Sequence, residues 1–284
     1  RDVATYYDGF SNRTLWPLLH FRLDLVDYDR ATRAGYWKVN RQFADALAPL
    51  LRDDDTVWIH DYHLIPLAQL LRERGVGCRI GFFLHVPVPS ADLLMAMPDH
   101  AGLFSALYAY DLLGFQTARD NDRFRSYVRL YGGGSVIDEV TLQAPDGRRF
   151  RTGAYPISID TALIAQQAAT ASGKPALRNL HTSLERRMLA IGVDRLDYSK
   201  GLPERFHAFD RYLQRHPDQK GRLTYLQIAP VSRGEVDEYQ HLRNQLEQIA
   251  GHINGRHAEP DWTPLRYVNR NIPHAMLAGY YRMA

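Results

Sequence analysis

Residues 188–206 read MLAIGVDRLDYSKGLPERF, and this stretch joins an apolar segment to a basic turn and a helix. Met188 to Val193 is a short apolar run, typical of a strand in the middle of a parallel sheet. Pro203 suits a first helical position and Glu204 the first turn, so a helix is predicted just beyond Lys200. The stretch therefore predicts the strand, turn and helix from which open α/β folds are built.

Two cationic side chains, Arg195 and Lys200, lie in the predicted turn. Open α/β folds bind ligands beyond the carboxyl ends of their strands, and a helix N-terminus favours an anion there. Arg195 can bind two oxygens at once, whereas Lys200 acts as a point charge. The turn therefore indicates a phosphate site. The alternative is a surface loop in which these cations pair with Asp194 and Asp197.

The same alternation extends in both directions along the chain. Strands are predicted at 56–60, 78–85, 112–115, 188–193, 222–228 and 265–268, and helices at 34–51, 64–74, 120–130, 161–171, 174–185, 203–215, 235–250 and 273–282. Residues 6–21 are rich in aromatic side chains, which predicts packing under a loop. The pattern predicts an α/β protein with two Rossmann-like, doubly wound parallel-sheet domains, 1–158 and 159–284, facing a cleft.

The composition excludes several classes of protein. Hydrophobic residues make up 45% of the 284 residues, and the 35 Lys and Arg nearly balance the 32 Asp and Glu, which argues against nucleic acid as a partner. The single cysteine, Cys78, excludes an internal disulfide framework and favours a reducing cytoplasm. No apolar run approaches the ~20 residues that span a membrane. Because the sequence starts at Arg1 and stops at Ala284 within a helical pattern, we expect both ends to be truncated.

A cluster of polar residues follows the first two predicted strands. His60, Asp61 and His63 come at the end of one strand, and His85 ends the next, so all are expected at one sheet edge. They include metal-ligand types, but the spacing of zinc enzymes is missing, and no metal site is predicted. Binding of sugar hydroxyls explains them more simply. Helix capping by Asp61 and hydrogen-bonded core histidines remain alternatives.

Arg233 adds a third cation to the second predicted sheet. It follows the strand 222–228 within the run QIAPVSRG (227–234), just before a predicted helix. Arg195, Lys200 and Arg233 are therefore expected at neighbouring strand-to-helix turns of one sheet.

Long runs of the sequence resemble the trehalose-6-phosphate synthase family, the retaining GT-B glycosyltransferases of family 20. The matching runs are FSNRTLWP (10–17), WIHDYHL (58–64), RIGFFLHVPVPS (79–90), DLLGFQT (111–117), VDRLDYSKGLPER (193–205), QIAPVSRG (227–234), and INGR and WTPL within 253–265. The resemblance extends nearly from end to end. It departs at Val88, where the family usually has an aromatic residue. It also implies a glycine-containing turn before Arg1 and a donor-binding loop after Ala284.

The resemblance implies a role for individual residues. The residues implied to contact a sugar-phosphate acceptor are Tyr7, Trp16, Asp61 and Arg233, with Arg233 at the phosphate. Those implied to bind the donor are Arg195, Lys200, His85 and Ile272, of which the first three are the candidate catalytic residues.

The implied enzyme is an α,α-trehalose-phosphate synthase. It transfers glucose, with retention, from a nucleoside-diphosphate glucose, expected to be UDP-glucose, to glucose 6-phosphate. No cofactor or obligatory metal is expected, and the partners are these small molecules, with a homo-oligomer allowed. Three alternatives stay open: a homologue that uses a cyclitol acceptor, a non-catalytic homologue, and a metal hydrolase that uses His60, Asp61, His63 and His85.

Overall fold

The structure, a computed structural model, describes residues 2–231 and 237–284, with only the backbone of Asp237. The chain divides into two compact units, Arg1–Ile157 (unit 1) and Ser158–Ala284 (unit 2). Each unit combines helices with a sheet that contains parallel strands, which confirms the predicted α/β class. The predicted helix start at 235 lies outside the described residues.

Unit 1 contains both helices and strands. Its helices are α1 Trp16–Leu19, α2 Arg30–Leu47, α3 Leu67–Arg72, α4 Ala91–Leu94, α5 His100–Ser105 and α6 Ala118–Leu130, and its strands are β1 Thr56–His60, β2 Arg79–Leu84, β3 Leu112–Phe115, β4 Ser135–Val136, β5 Thr141–Gln143 and β6 Arg149–Ala154. The strand order is β1-β2-β3-β6-β5-β4. The first four strands in this order are parallel, and β5 and β4 extend the sheet as antiparallel strands.

Unit 2 has a parallel sheet in the order β7-β8-β9 within the residues described. Its elements are α7 Thr161–Ala171, α8 Pro175–Leu184, β7 Met188–Val193, α9 Leu202–Arg215, β8 Leu223–Ile228, α10 Asp237–His257, β9 Leu265–Val268 and α11 His274–Met283. Helix α9 buries Leu202, Phe206, Phe209 and Leu213, a helical spacing that turns one apolar face to the sheet. Gly201 precedes it at φ 61°, a conformation that favours glycine.

The segment before α1 is helical, although its aromatic residues had indicated only packing under a loop and no helix was predicted there. Ala4–Leu15 forms a π-helix, in which the backbone N–H of Trp16 donates to the carbonyl of Ser11. It leads directly into α1, where Pro17 occupies the first turn and needs no N–H partner. Tyr6, Tyr7 and Phe10 therefore lie on a helix whose wide turn does not follow a 3.6-residue period.

Helix α2 connects this segment to the sheet. It begins at Arg30 because the carboxylate of Asp29 accepts a hydrogen bond from the N–H of Thr32 at 2.8 Å. Tyr36 is fully buried on its inner face, and its hydroxyl donates to the carbonyl of Tyr62 at 2.6 Å. Burial raises the pKa of Tyr36 well above its ordinary value, so this hydroxyl stays a donor.

The single cysteine lies inside unit 1. Cys78 is 2% exposed, and its carbonyl accepts a hydrogen bond from the guanidinium of Arg72 at 2.8 Å. In the described ranges, no helix has both the length and the apolar character needed to cross a membrane.

Candidate active site

A cavity of about 440 Å³ lies at the carboxyl ends of β7 and β8 in unit 2. Arg195, two residues beyond β7, and Ile272, beyond β9, both line it. The other lining residues are Ile164, Val193, Asp194, Ile228, Pro230, Asn271, His274, Leu277, Ala278 and Tyr281. Burial and the charge of Asp194 raise the pKa of Tyr281, so its hydroxyl stays neutral in the cavity. A ligand in this cavity would meet both Arg195 and Ile272.

Asp197 anchors Arg195. Its carboxylate has no exposed surface and lies 3.5 Å from the guanidinium of Arg195. The backbone N–H of Ser199 donates to it at 2.9 Å, and the hydroxyl of Tyr239 donates at 3.2 Å. A buried carboxylate is costly unless it is hydrogen-bonded and paired, so these contacts fix the turn after β7 and hold Arg195 at the cavity.

The backbone of Lys200 is fixed by hydrogen bonds of its N–H and its carbonyl. It ends the short 3-10 turn Tyr198–Lys200, its N–H donates to the carbonyl of Asp197 at 3.1 Å, and its own carbonyl accepts from Arg205 at 2.8 Å. Arg205 also pairs with Asp194 at 2.6 Å, and this hydrogen bond raises the pKa of Arg205. The surface-loop alternative predicted that the cations of this turn pair with Asp194 and Asp197. The structure contains the pair between Arg195 and Asp197, whereas Asp194 pairs with Arg205.

Arg233 and the turn around it lie outside the described residues. The strand that leads to them is described: β8 ends at Ile228, which pairs with Val193 of β7. Whether Arg233 joins Arg195 therefore stays a prediction.

In unit 1 the predicted polar cluster assembles at the ends of β1 and β2. His60 pairs with Phe83 in the sheet, and Nδ1 of His60 lies 2.9 Å from Nε2 of His85. The two rings are close to parallel, at 26° and 5.2 Å between centroids. Both line a cavity of about 580 Å³ on one face of the sheet. The expectation that His60 and His85 share one sheet edge is confirmed.

Asp61 has a strained backbone. Its φ of 71° and ψ of 166° lie in a region that is essentially restricted to glycine. The conformation is held by its N–H, which donates to the carbonyl of Phe83 at 2.8 Å, and by its carboxylate, which accepts from the N–H of Tyr62 at 3.0 Å. As in the capping alternative, Asp61 precedes the 3-10 turn Tyr62–Leu64. A retained strain of this kind is typical of functional sites.

Tyr7 and Trp16 both contact the residues that follow Asp61. The ring of Tyr7 stacks on His63, with 5.5 Å between centroids and 13° between planes, and is 41% exposed. Trp16 is 5% exposed, and its ring lies 5.9 Å from that of Tyr62. The structure thus brings three of the four acceptor candidates, Tyr7, Trp16 and Asp61, to one region of unit 1.

Two further features bear on the predictions for unit 1. Across residues 2–231 and 237–284, no three His, Cys, Asp or Glu side chains come together in a group that could hold a metal ion.

Val88, the departure from the family pattern, is 3% exposed, and its N–H donates to the carboxylate of Asp120 at 2.9 Å. Its side chain therefore packs in the interior of the unit.

Sequence reasoning missed the roles of several residues. Asp197 was considered only as a surface ion-pair partner, although it is the buried anchor of the turn. The bond between His60 and His85 was also missed, because a sequence shows which residues share an edge but not which atoms meet. Ser11 Oγ and Asn12 Nδ2 are buried polar atoms with no hydrogen-bond partner among the described residues. Both residues lie in the run 10–17, and its resemblance to the family was the one signal in the sequence that could have identified them.

The sequence of the chain is similar to those of known proteins. The family model described as glycosyltransferase family 20 matches residues 1–284. A trehalose-6-phosphate synthase of Sinorhizobium fredii is 50% identical over 282 residues, which is 99% of this chain and 61% of that protein.

Solved structures are also similar to this chain. The α,α-trehalose-phosphate synthase (UDP-forming) of Burkholderia xenovorans, in complex with glucose 6-phosphate, has a TM-score of 0.97 at 48% identity, covering 100% of this chain and 63% of that one. An Escherichia coli structure bound with UDP-2-fluoro glucose has a TM-score of 0.96 at 46% identity, covering 100% and 62%. The chain thus spans about three fifths of the length of the relatives it matches.

Proposed function

The chain belongs to glycosyltransferase family 20, and we propose that the protein transfers glucose from a nucleoside-diphosphate glucose to glucose 6-phosphate, forming α,α-trehalose 6-phosphate. UDP-glucose is the proposed donor, because a similar structure is bound with UDP-2-fluoro glucose and others are described as UDP-forming. The observation that carries the proposal is Arg195, which lies at the carboxyl end of β7 on a cavity large enough for a ligand.

The proposed donor site lies in unit 2. Arg195 and Lys200 would meet the negative charge that develops on the leaving diphosphate, and Ile272 would pack against the donor. His85 of unit 1 would hydrogen-bond the donor sugar. Because the anchor of Arg195 is already formed, the guanidinium needs little reorganisation when charge develops, and this is the condition under which electrostatic stabilisation is strongest.

The proposed acceptor residues are Tyr7, Trp16, Asp61 and Arg233. Two aromatic rings suit the apolar faces of a sugar, the Asp61 carboxylate can accept from its hydroxyls, and Arg233 would bind the phosphate through a bidentate contact. In the proposed step, the bond from the anomeric carbon to the diphosphate breaks and the diphosphate keeps the electron pair. An acceptor hydroxyl bonds to the same face of that carbon, and its proton passes to the leaving phosphate. No metal is needed in this scheme. The single cysteine fits a reducing compartment, and we propose the cytoplasm.

The test is direct. The protein is incubated with glucose 6-phosphate and, separately, with the glucose esters of UDP, GDP and ADP, and the disaccharide phosphate is measured. We expect product with retained configuration, most rapidly from UDP-glucose. Transfer to a cyclitol instead of glucose 6-phosphate would change the proposed acceptor, and binding of both substrates without turnover would favour a non-catalytic homologue.

A further inference from the structure

The rings of His60 and His85 form a hydrogen-bonded pair at the edge of the unit 1 sheet. His60 is the last residue of β1 and His85 follows β2, and the facing nitrogens, Nδ1 of His60 and Nε2 of His85, are 2.9 Å apart. Both side chains are exposed, so a ligand can reach them. The proposed function uses His85 and leaves His60 without a role.

A bond between two imidazoles couples their protonation. One facing nitrogen must carry a hydrogen and the other must present a lone pair. If His60 donates, a neutral His85 carries its hydrogen on the outward Nδ1 and offers a donor there. If His85 donates, its Nδ1 is a bare acceptor. Hydrogen atoms on both facing nitrogens abolish the bond, so what His85 can offer to a ligand is coupled to the protonation of His60.

The surroundings of the pair leave this coupling undisturbed. The nearest rings are aromatic and uncharged: Trp58 lies 4.4 Å from His60, and Phe83 lies 4.8 Å from His85. Neither a carboxylate nor a Lys or Arg appears among the described residues that line the cavity, and Tyr155 is the other titratable group on it. The polar contact that orients the His85 ring on this face is therefore the one from His60.

We propose that His60 is a positioning residue that sets the tautomer and the ring orientation of His85. The proposal rests on the proposed function, in which His85 hydrogen-bonds the donor sugar. A hydroxyl both donates and accepts, so the tautomer of His85 decides which way that hydroxyl points. A partner that fixes an imidazole in this way is typically worth a factor of about 10 to 100 at metal ligands, and we expect the lower end here.

The first test is spectroscopic and needs no substrate. The protein is labelled with ¹⁵N-histidine, and the His85 signals are assigned by their loss in His85→Gln. We expect one tautomer of His85 to predominate in the wild type. In His60→Asn, whose amide can donate or accept near the position of Nδ1, we expect the His85 ring to keep a hydrogen bond. In His60→Leu we expect averaged tautomers. Unchanged His85 nitrogen shifts in His60→Leu would overturn the proposal, and the other histidine signals report whether the variant is folded.

The second test is kinetic. We expect His60→Leu to lower kcat/KM for the nucleoside-diphosphate glucose about tenfold, with the KM for glucose 6-phosphate changed less than about twofold. His60→Asn should recover most of the loss. His252→Leu, at an exposed position on α10, is the matched control and should behave as wild type. Wild-type kinetics in His60→Leu would contradict a role for His60. If the wild type transfers no glucose, the proposed function is wrong, and the spectroscopic test still decides the coupling.

Discussion

The guanidinium of Arg195 lies 3.5 Å from the carboxylate of Asp197, a side chain with no exposed surface only two residues along the chain. The pair makes Arg195 part of the structure of the turn as well as of the cavity. Lys200, three residues further on, contributes to the same turn through backbone hydrogen bonds. Substitutions of these two cations should therefore have separable consequences.

We predict that Arg195→Ala and Lys200→Ala each lower turnover by about a hundredfold, because each removes one group that is proposed to stabilise charge on the leaving diphosphate. Only Arg195→Ala should also lower the free energy of unfolding, by roughly 1 kcal/mol, since Asp197 loses a partner. Steady-state kinetics and denaturant unfolding measure the two effects. Arg211→Ala, at an exposed position on α9, is the control, and near-normal turnover in either variant would refute the donor-site assignment.

Arg233→Ala should weaken glucose 6-phosphate by about one to two powers of ten, because a charge-assisted bond from arginine to phosphate is worth roughly 1.5 to 3 kcal/mol. Binding of the nucleoside diphosphate should change much less. Separate calorimetric titrations with the two ligands measure this. If the nucleotide is weakened and the sugar phosphate is not, Arg233 belongs to the donor site.

Asp61→Gly should separate stability from binding. Glycine adopts φ 71° and ψ 166° without strain, and relief of such strain is worth roughly 1 to 3 kcal/mol. We therefore expect the free energy of unfolding of unit 1 to rise by about 1 kcal/mol or more, although the hydrogen bond from the N–H of Tyr62 is lost. Affinity for the acceptor should fall. Asp61→Ala is the comparison: it loses the same carboxylate but keeps the strain, so it should be less stable than Asp61→Gly. Equal stability of the two variants would show that the backbone is not strained.

Asp210 should make unit 2 sensitive to acid. Burial acts to raise the pKa of this carboxylate, but hydrogen bonds from His257 at 2.7 Å and from Gln214 at 2.7 Å, together with the charge of Arg256 at 3.3 Å, lower the pKa overall. A lowered folded-state pKa gives stability that is present above the unfolded value of about 3.9 and is lost as pH falls through the folded value.

Asp210→Asn should therefore reduce the free energy of unfolding by roughly 1 to 3 kcal/mol at neutral pH and by progressively less below about pH 4. Denaturant titrations across this pH range measure the difference. Asp218→Asn, at an exposed carboxylate in the same unit, should show no such trend. A constant difference between wild type and Asp210→Asn at all pH values would contradict the assignment.

Chelators should leave activity unchanged, because Arg195 and Lys200 are the proposed source of the positive charge that a divalent ion would otherwise bring to the diphosphate. Turnover is measured with and without EDTA. Loss of activity in EDTA that a divalent ion restores would return attention to His60, Asp61, His63 and His85 as ligands.

The sequence predicted the parts of the fold in which the apolar residues follow a single strand or helix periodicity. The apolar runs that became β1, β2 and β7 are flanked by polar turns, and helices α7 and α8 were predicted within one residue of their observed bounds. The segment before α1 was missed, because the wide turn of a π-helix spaces its aromatic residues differently from a 3.6-residue repeat. Helix α2 was placed at 34–51 but begins at Arg30, where the Asp29 cap overrides the apolar pattern.

The candidate site was predictable as far as sheet edges are concerned. The positions of Arg195 and His85 follow from strand ends, since parallel strands bring their carboxyl ends together. The contacts of Asp197 depend on Tyr239, which is 42 residues away in sequence and lies on helix α10. The strain at Asp61 depends on the carbonyl of Phe83. Such contacts arise from tertiary packing, which no local pattern encodes.

The burial of Cys78 has a practical consequence for measuring motion. Because it is the single cysteine in the sequence and is 2% exposed, a thiol reagent can label the native protein only during moments when the start of β2 separates from its neighbours. When opening and closing are fast, the labelling rate is the intrinsic thiol rate multiplied by the fraction of time spent open. Alkylation kinetics therefore give the free energy of local opening at the start of β2, without any substitution or attached probe, and a ligand that slows them must bind the closed form.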